Sequence, residues 1–442
     1  MNRGFGGAMG GARAAAAWMT AMLALGCARA PDASQASSVP GPTLASAGPA
    51  APAVPPPPAT ASAPVPEVAA AAPPAPDPPL AGVDFLPQAR VIFRVAACGH
   101  SSSESDLPAR FDASVVAHHC DDLGRAYEEY RHGWVDVAKP FFAALRPKDL
   151  PRVVVYPFGG GDLVSALATF PDATEITTIS LEPAGDVRPV DSLAPDRLAH
   201  ELAVHRSHLE RLFEKAHSRT DNLEKEARTD LPGELLFALA ALVVHGEEPV
   251  SLRYFRLGRD GSVNYVTQAE LDDTSGPKRA GERRALFANA ELRFRRTGDP
   301  AAPVQVLRHV SHNLDDAHLT ADPGLLAYLN TRGNVAAMTK AATHLLWNEH
   351  FRLIRGWLVD HTDWMASDST GLPPRIAGPA GYTQDTYGTF DGPSPFGDPD
   401  RADTEDVKRL FASQPVRPLP FRYGYPDSHG HAHLIVTHRP PR

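Results

Sequence analysis

Residues 152–186, RVVVYPFGGGDLVSALATFPDATEITTISLEPAGD, restrict the fold of this chain more than any other stretch. Val153, Val154, Val155 and Tyr156 form a short β-branched run of the kind buried on both faces of a sheet. Gly159, Gly160 and Gly161 follow, and glycine permits positive φ and close backbone approach. Asp162 is placed to cap a helix over about 163–170, which Pro171 stops. Residues 176–181 form a second β-branched run, ended by Glu182 and Pro183. Parallel strands need a crossover, and one helix is available for it. The stretch therefore predicts an α/β fold: a mixed sheet seeded by a βαβ unit over about 153–182, extended by antiparallel hairpins, with helices packed on it.

Strand, glycine turn, helix and an acidic residue closing the next strand is also the layout of nucleotide sites, where free helix N–H groups meet phosphate. GGGD is not GxGxxG, however, and Glu182 matches the ribose-binding acid only by a loose count. Two readings stay open. The glycines let strand and helix pack closely, or Gly159, Gly160, Gly161 and Asp162 cradle a ligand with Glu182 beside them. No cofactor motif accompanies either.

The chain has 442 residues and a formal charge of −9, with 7% aromatic residues. That balance offers no basic stripe with interleaved aromatics and excludes a nucleic-acid partner. The N-terminus reads as an export signal over residues 1–26. Arg3 and Arg13 are basic, and AAAAWMTAMLAL over 14–25 is apolar but too short to span a bilayer stably. Leu23-Ala24-Leu25-Gly26-Cys27 resembles a bacterial lipobox, with Ala24 where leucine is commonest. The resemblance implies cleavage before Cys27, diacylation through its thiol and acylation of the new amino terminus. Several acyl chains on one residue anchor a protein stably to a bilayer. An ordinary signal-peptidase site near ALGCARA is the competing reading. Ala28 is not the aspartate that retains lipoproteins at the inner membrane, so the expected location is the cell envelope at the outer membrane.

Residues 27–82 join Cys27 to a Pro/Ala/Ser tract with too few large apolar side chains to build a core, a disordered and semi-rigid spacer. Residues 83–442 are expected to form one globular domain. Cys98 and Cys120 remain, and in an exported protein two such cysteines pair. The rival reading, zinc held by Cys98, His100, His119 and Cys120, has a spacing unlike the usual fingers.

Along that domain, residues 91–97 (VIFRVAA) read as a strand, and Asp121 or Asp122 as the cap of a helix reaching 145 that Pro140 kinks or splits. An amphipathic helix is expected over 195–217 and an apolar core helix over 231–245. Hairpins are expected from 251–257 with 262–267 and from 291–296 with 304–310. Asp322-Pro323 opens a short helix to 329. Residues 334–365 read as a long amphipathic helical segment, unbroken or interrupted near Asn348 or Gly356, ending in a polar turn around Asp368; 376–425 read as loop-rich and 431–437 as a closing strand.

Two histidine groups invite a metal reading. HELAVH is not HExxH, because His200 and His205 are five apart and turned from one another; Glu201, His205 and His208 lie near one face, and the reading preferred to a metal there is a half-buried, hydrogen-bonded His205. His429, His431 and His433 alternate and would share a face on a strand, a zinc-like spacing. No carboxylate accompanies them in sequence, so the blander reading is three solvent-facing histidines, and no metal ligand is assigned.

With these pieces placed, YPFGGGD, TFPDATEITTISLEPAGD, ELRFRR with VQVLRHVSHNL, MTKAATHLLWNEHFRLIRGWL, SDSTGLP, YGTFDGP and LPFRYGYP resemble a family of uncharacterised bacterial secreted proteins and lipoproteins. The likeness runs over about 127–425; the family has small polar residues after Phe158 where this chain has glycines. It implies one exported domain and no activity, cofactor or catalytic residue. Function therefore rests on two expectations. The first is a membrane-anchored envelope lipoprotein of binding or structural character, attached to the lipid bilayer through Cys27. The second is an envelope hydrolase working with Asp162, Glu182 and Asp368 at the carboxyl ends of strands, where α/β proteins bind ligands. An enzyme would gather the glycine turn, Glu182 and Asp368 in one concavity. A methyltransferase would match the βαβ layout but needs a cytosolic nucleotide cosubstrate.

Overall fold

The computed structural model describes residues 81–101, 107–215, 229–273, 280–392 and 401–439. The export signal, Cys27 and nearly all of the Pro/Ala/Ser tract lie outside the described residues.

Ten strands form one mixed sheet: β1 (Val153–Pro157), β2 (Glu175–Ser180), β3 (Glu247–Leu257), β4 (Val263–Tyr265), β5 (Asn289–Arg296), β6 (Gln305–Ser311), β7 (Val335–Thr339), β8 (Thr362–Ser367), β9 (Thr383–Gly388) and β10 (His433–His438). Their order is β4-β3-β5-β6-β2-β1-β7-β8-β10-β9. The five central strands, β6-β2-β1-β7-β8, are parallel; the pairs outside them are antiparallel. The α/β class and the seeding βαβ unit of the sequence reading are both present, and the two expected hairpins form the β3–β4 and β5–β6 pairs.

Among the helices of the described residues that pack on the sheet are α1 (Leu86–Val95), α2 (Ala113–Tyr130), α3 (Asp136–Leu145), α4 (Leu163–Thr169), α5 (Pro195–Lys215), α6 (Gly233–His245), α7 (Arg352–His361) and α8 (Arg401–Ala412). Side chains alternate across a strand, so each central strand feeds two cores. Val154 and Tyr156 of β1, with Ala336 and Met338 of β7, join residues of α1 to α6 on one face. Val155 and Ala337 point the other way, into a cluster containing Ile354, Trp357 and Leu358 of α7. The crossover from β1 through α4 therefore passes over one face and that from β7 through α7 over the other. Adjacent strands whose crossovers diverge in this way define a topological switch point, the usual ligand position in open α/β sheets.

Several elements differ from expectation. Residues 91–95 belong to α1, because Ala89, Ile92, Phe93 and Ala96 recur at helical spacing and are buried, and Pro87 fits the first turn. The cap of α2 is Asp112, whose Oδ1 accepts the Ser114 N–H at 2.8 Å; Asp121 and Asp122 sit within the helix. The path from α2 to α3 loosens into a π turn at Arg131–Val135, a turn before Pro140. The supposed helix over 334–365 contains β7, 3-10 turns, α7 and β8. Residues 335–339 are wholly buried, so this strand shows no alternation to read. Residues 376–425 include β9 and α8.

Cys98 and Cys120 are disulfide-bonded, Cα to Cα 5.3 Å, tying the segment after α1 to the middle of α2. The alternative zinc set is thereby excluded. Among the described residues no helix is long and apolar enough to cross a membrane.

Candidate functional site

At the switch point a charged cluster is enclosed by protein. Asp162 caps α4, directly after the glycine turn, and Lys340 is the first residue beyond β7. Lys340 Nζ lies 2.7 Å from Asp162 Oδ2 and donates to Ser165 Oγ at 2.7 Å. Tyr156 OH donates to Asp162 Oδ2 at 3.0 Å, and the ammonium stands 5.4 Å from the centre of the Tyr423 ring. Burial pushes the Tyr156 and Tyr423 phenols well up, and the charges of Asp162 and Asp368 beside them add to the effect. Lys340, Asp162, Ser165 and Tyr156 are thereby paired with one another. The cluster reads as a polar lock between α4 and β7.

Asp368 follows β8 and is also buried. Its Oδ1 accepts the Thr370 N–H at 2.9 Å, closing the SDST turn, and its Oδ2 accepts the Tyr425 N–H at 3.0 Å. It fastens the 423–425 loop over the carboxyl edge of the sheet.

Close packing around the glycine turn explains two of its glycines. A Cβ on Gly159 would lie 2.5 Å from the Tyr156 ring, and one on Gly161 would lie 2.8 Å from Phe237 Cβ and 3.0 Å from Glu234 Oε2. The turn brings α6 against β1.

Immediately beyond Gly161 the molecule opens a cavity of about 410 Å³, lined by Glu182, Asp186, His205, Leu231, Glu234, Phe287 and neighbours. Gly159, Gly160, Gly161, Asp162 and Asp368 do not line it. Of the carboxylates proposed from sequence, only Glu182 does, so the expected single concavity is not formed. Its partner there is Glu234, in the first turn of α6. Glu234 is only 7% exposed, and neither of its carboxyl oxygens has a hydrogen-bond partner. Burial, with the Glu182 charge nearby, holds its carboxyl well above the usual range and favours the neutral acid. His205 is buried too, and its Nε2 has no hydrogen-bond partner. Burial, helped by His208 and His119, pushes the ring down to about 3, so it is uncharged at neutral pH. The cavity thus pairs two carboxyls whose surroundings differ, one enclosed and one partly open, beside a neutral imidazole. That arrangement can donate and accept protons.

Glu201 and His205 do lie together, Oε2 to Nε2 at 3.8 Å, whereas the three C-terminal histidines do not share a strand face. Glu201 is taken up by Arg197 at 3.0 Å and by the N–H groups of Asp230 and Leu231 at 3.0 and 3.2 Å, which anchors the approach to α6. The closing strand begins at His433, so His429 and His431 lie in the turn before it. His433 is buried against Phe390, ring centres 4.9 Å apart, while His429 and His431 face Asp391 and Asp427.

Sequence reasoning missed Glu234, Lys340, Asp391 and Asp427. For Glu234 a signal existed: it is the one charged residue between Gly233 and Val244 of an otherwise apolar helix. Lys340 was masked by the helical reading of 334–365. Comparison with family models, curated proteins and solved structures finds no match to this chain.

Proposed function

We propose that this chain is an exported lipoprotein of the bacterial cell envelope, held to the outer membrane through acylated Cys27, whose domain binds a small polar molecule in the cavity beside α6. Glu234 carries the binding reading. A buried acid with both oxygens unpaired destabilises a fold, and such residues concentrate where a ligand completes them. Glu182 and His205 supply an acceptor and a neutral ring on the same cavity wall. The LALGC sequence supports the anchor, and the Cys98–Cys120 bond is of the kind that persists in oxidising compartments.

The anchor is tested by fractionating cells that express Cys27→Ser. Release from membranes, with loss of the lipid mass from the mature chain, is expected; unchanged membrane retention overturns it. Binding is tested by thermal shift against panels of sugars, amino acids and dipeptides. Ligands that stabilise the natural protein should fail to stabilise Glu234→Leu, and stabilisation that persists undiminished retires the cavity.

The same carboxyl pair favours a second reading, an envelope hydrolase with Glu234 as general acid and Glu182 as general base. Glu182→Gln and Glu234→Gln should each abolish turnover of chromogenic esters or glycosides. Turnover that survives both substitutions excludes this chemistry.

A further inference from the structure

β9 and β10 pair antiparallel with Gly388 opposite His433, and the chain between them returns to the open end of that pair. Asp391, shortly after β9, meets the turn at 427–431 there. Asp427 is buried and fixes the geometry. Its Oδ1 accepts the N–H groups of His429 and His431, both at 2.9 Å, and its Oδ2 accepts those of Asp391 and Gly392 at 3.3 and 3.2 Å.

Three imidazole–carboxylate contacts are thereby set up. His431 Nδ1 is 3.0 Å from both Asp427 Oδ2 and Asp391 Oδ1, and His429 Nδ1 is 3.3 Å from Asp391 Oδ1. Two Nδ1 protons cannot serve three such contacts in line. One ligand atom from each residue lies within 4.8 Å of all the others. A tetrahedral metal with bonds of about 2.0–2.1 Å has ligand–ligand edges of about 3.3 Å, close to these three separations.

We propose that Asp391, Asp427, His429 and His431 bind one divalent transition-metal ion, which clips the loop after β9 to the turn before β10. Two imidazoles with two carboxylates are a donor set suited to zinc and ill suited to calcium or magnesium, which take oxygen almost exclusively. His433 is no part of it, since its Nδ1 faces the His431 carbonyl at 3.2 Å.

The test uses the purified mature chain, stripped with chelator and titrated calorimetrically with zinc chloride. One zinc per chain is expected, with an absorption-edge spectrum showing a nitrogen and oxygen shell that includes two imidazoles. Asp391 and His429 are exposed, so Asp391→Ala and His429→Ala should fold normally by circular dichroism. Losing a neighbour of a metal ligand already weakens binding about 10–100-fold, so removing a ligand should cost about 100-fold or more. His350→Ala, at an exposed histidine elsewhere, should bind as the natural chain does. Absence of stoichiometric zinc overturns the site. So does equal affinity in the Asp391→Ala/His429→Ala double variant, which would mark an adventitious ion only, and so does displacement of zinc by equimolar calcium.

Discussion

Lys340 Nζ and Asp162 Oδ2 meet at 2.7 Å with both side chains buried, joining the end of β7 to the start of α4. Residues that belong to separate crossovers are thus held by one ion pair at the centre of the sheet. Removing one partner strands the other charge inside the protein, which costs roughly 3–5 kcal/mol. Urea unfolding of Lys340→Met should show a loss of that size. Asp162→Asn combined with Lys340→Met should recover a good part of it, because no buried charge is then left unpaired. A double variant no more stable than Lys340→Met would show that the polar contacts around the pair, and not the charges, matter.

Gly424 has φ +65°, and a Cβ there would fall 2.0 Å from Asp368 Oδ2. Gly424→Ala must strain the backbone and displace the carboxylate that holds Tyr425. A loss of about 1–3 kcal/mol is expected from the backbone alone, and more with the clash. Gly298 also has positive φ, +77°, but open space around it, so Gly298→Ala serves as a comparison that isolates the backbone cost. Equal losses in the two variants would deny Asp368 its fastening role.

The Cys98–Cys120 bond spans 22 residues. Closing a loop of that size restrains the unfolded chain by roughly 3 kcal/mol. Cys98→Ser/Cys120→Ser should therefore melt well below the natural protein, and reductant should lower the melting temperature of the latter only. A double variant with unchanged stability would remove any structural role for the bond.

Opposed pH dependences should be visible in denaturant melts. Burial pushes His205 and His245 down to about 3 from an ordinary 6.5. As pH falls below 6.5 the unfolded chain takes up protons that the folded chain refuses, so stability is lost between about 6.5 and 3. The size is of order 5 kcal/mol per histidine. Glu234 runs the other way: its carboxyl is raised, so the unfolded chain sheds a proton above 4.5 that the folded chain keeps. Its contribution is present at acid pH and declines as pH rises. Glu234→Gln should flatten the alkaline side and be the more stable protein at pH 8. A variant less stable than the natural chain there would show that the carboxyl has a partner in the folded state.

Local chemistry made much of the frame readable. The valine run of β1, the isoleucines and threonines of β2, the turns of both hairpins and the stripe of α5 each satisfy a backbone preference and a burial pattern within a few residues, so order along the chain is enough. Where those signals conflict, tertiary context decides. Ala336, Ala337 and Met338 favour helices, yet Val335 to Thr339 becomes a strand because β1 and β8 pair with it on either side. Residues 91–95 have strand-like composition and become helical because their apolar spacing fits the face they cover.

The site was less legible, for a physical reason. Asp162 follows the carboxyl end of β1 and Glu182 that of β2, and both placements can be read from the local sequence. Which carboxyls share a cavity depends on how α6 meets the glycine turn, and Glu234 reaches Glu182 only through that packing. Asp391 likewise reaches Asp427, His429 and His431 only because β9 and β10 pair, whereas Asp427 meets the two histidines within a single turn. Pairings between distant segments are energies of the folded state, and no local stretch of sequence records them.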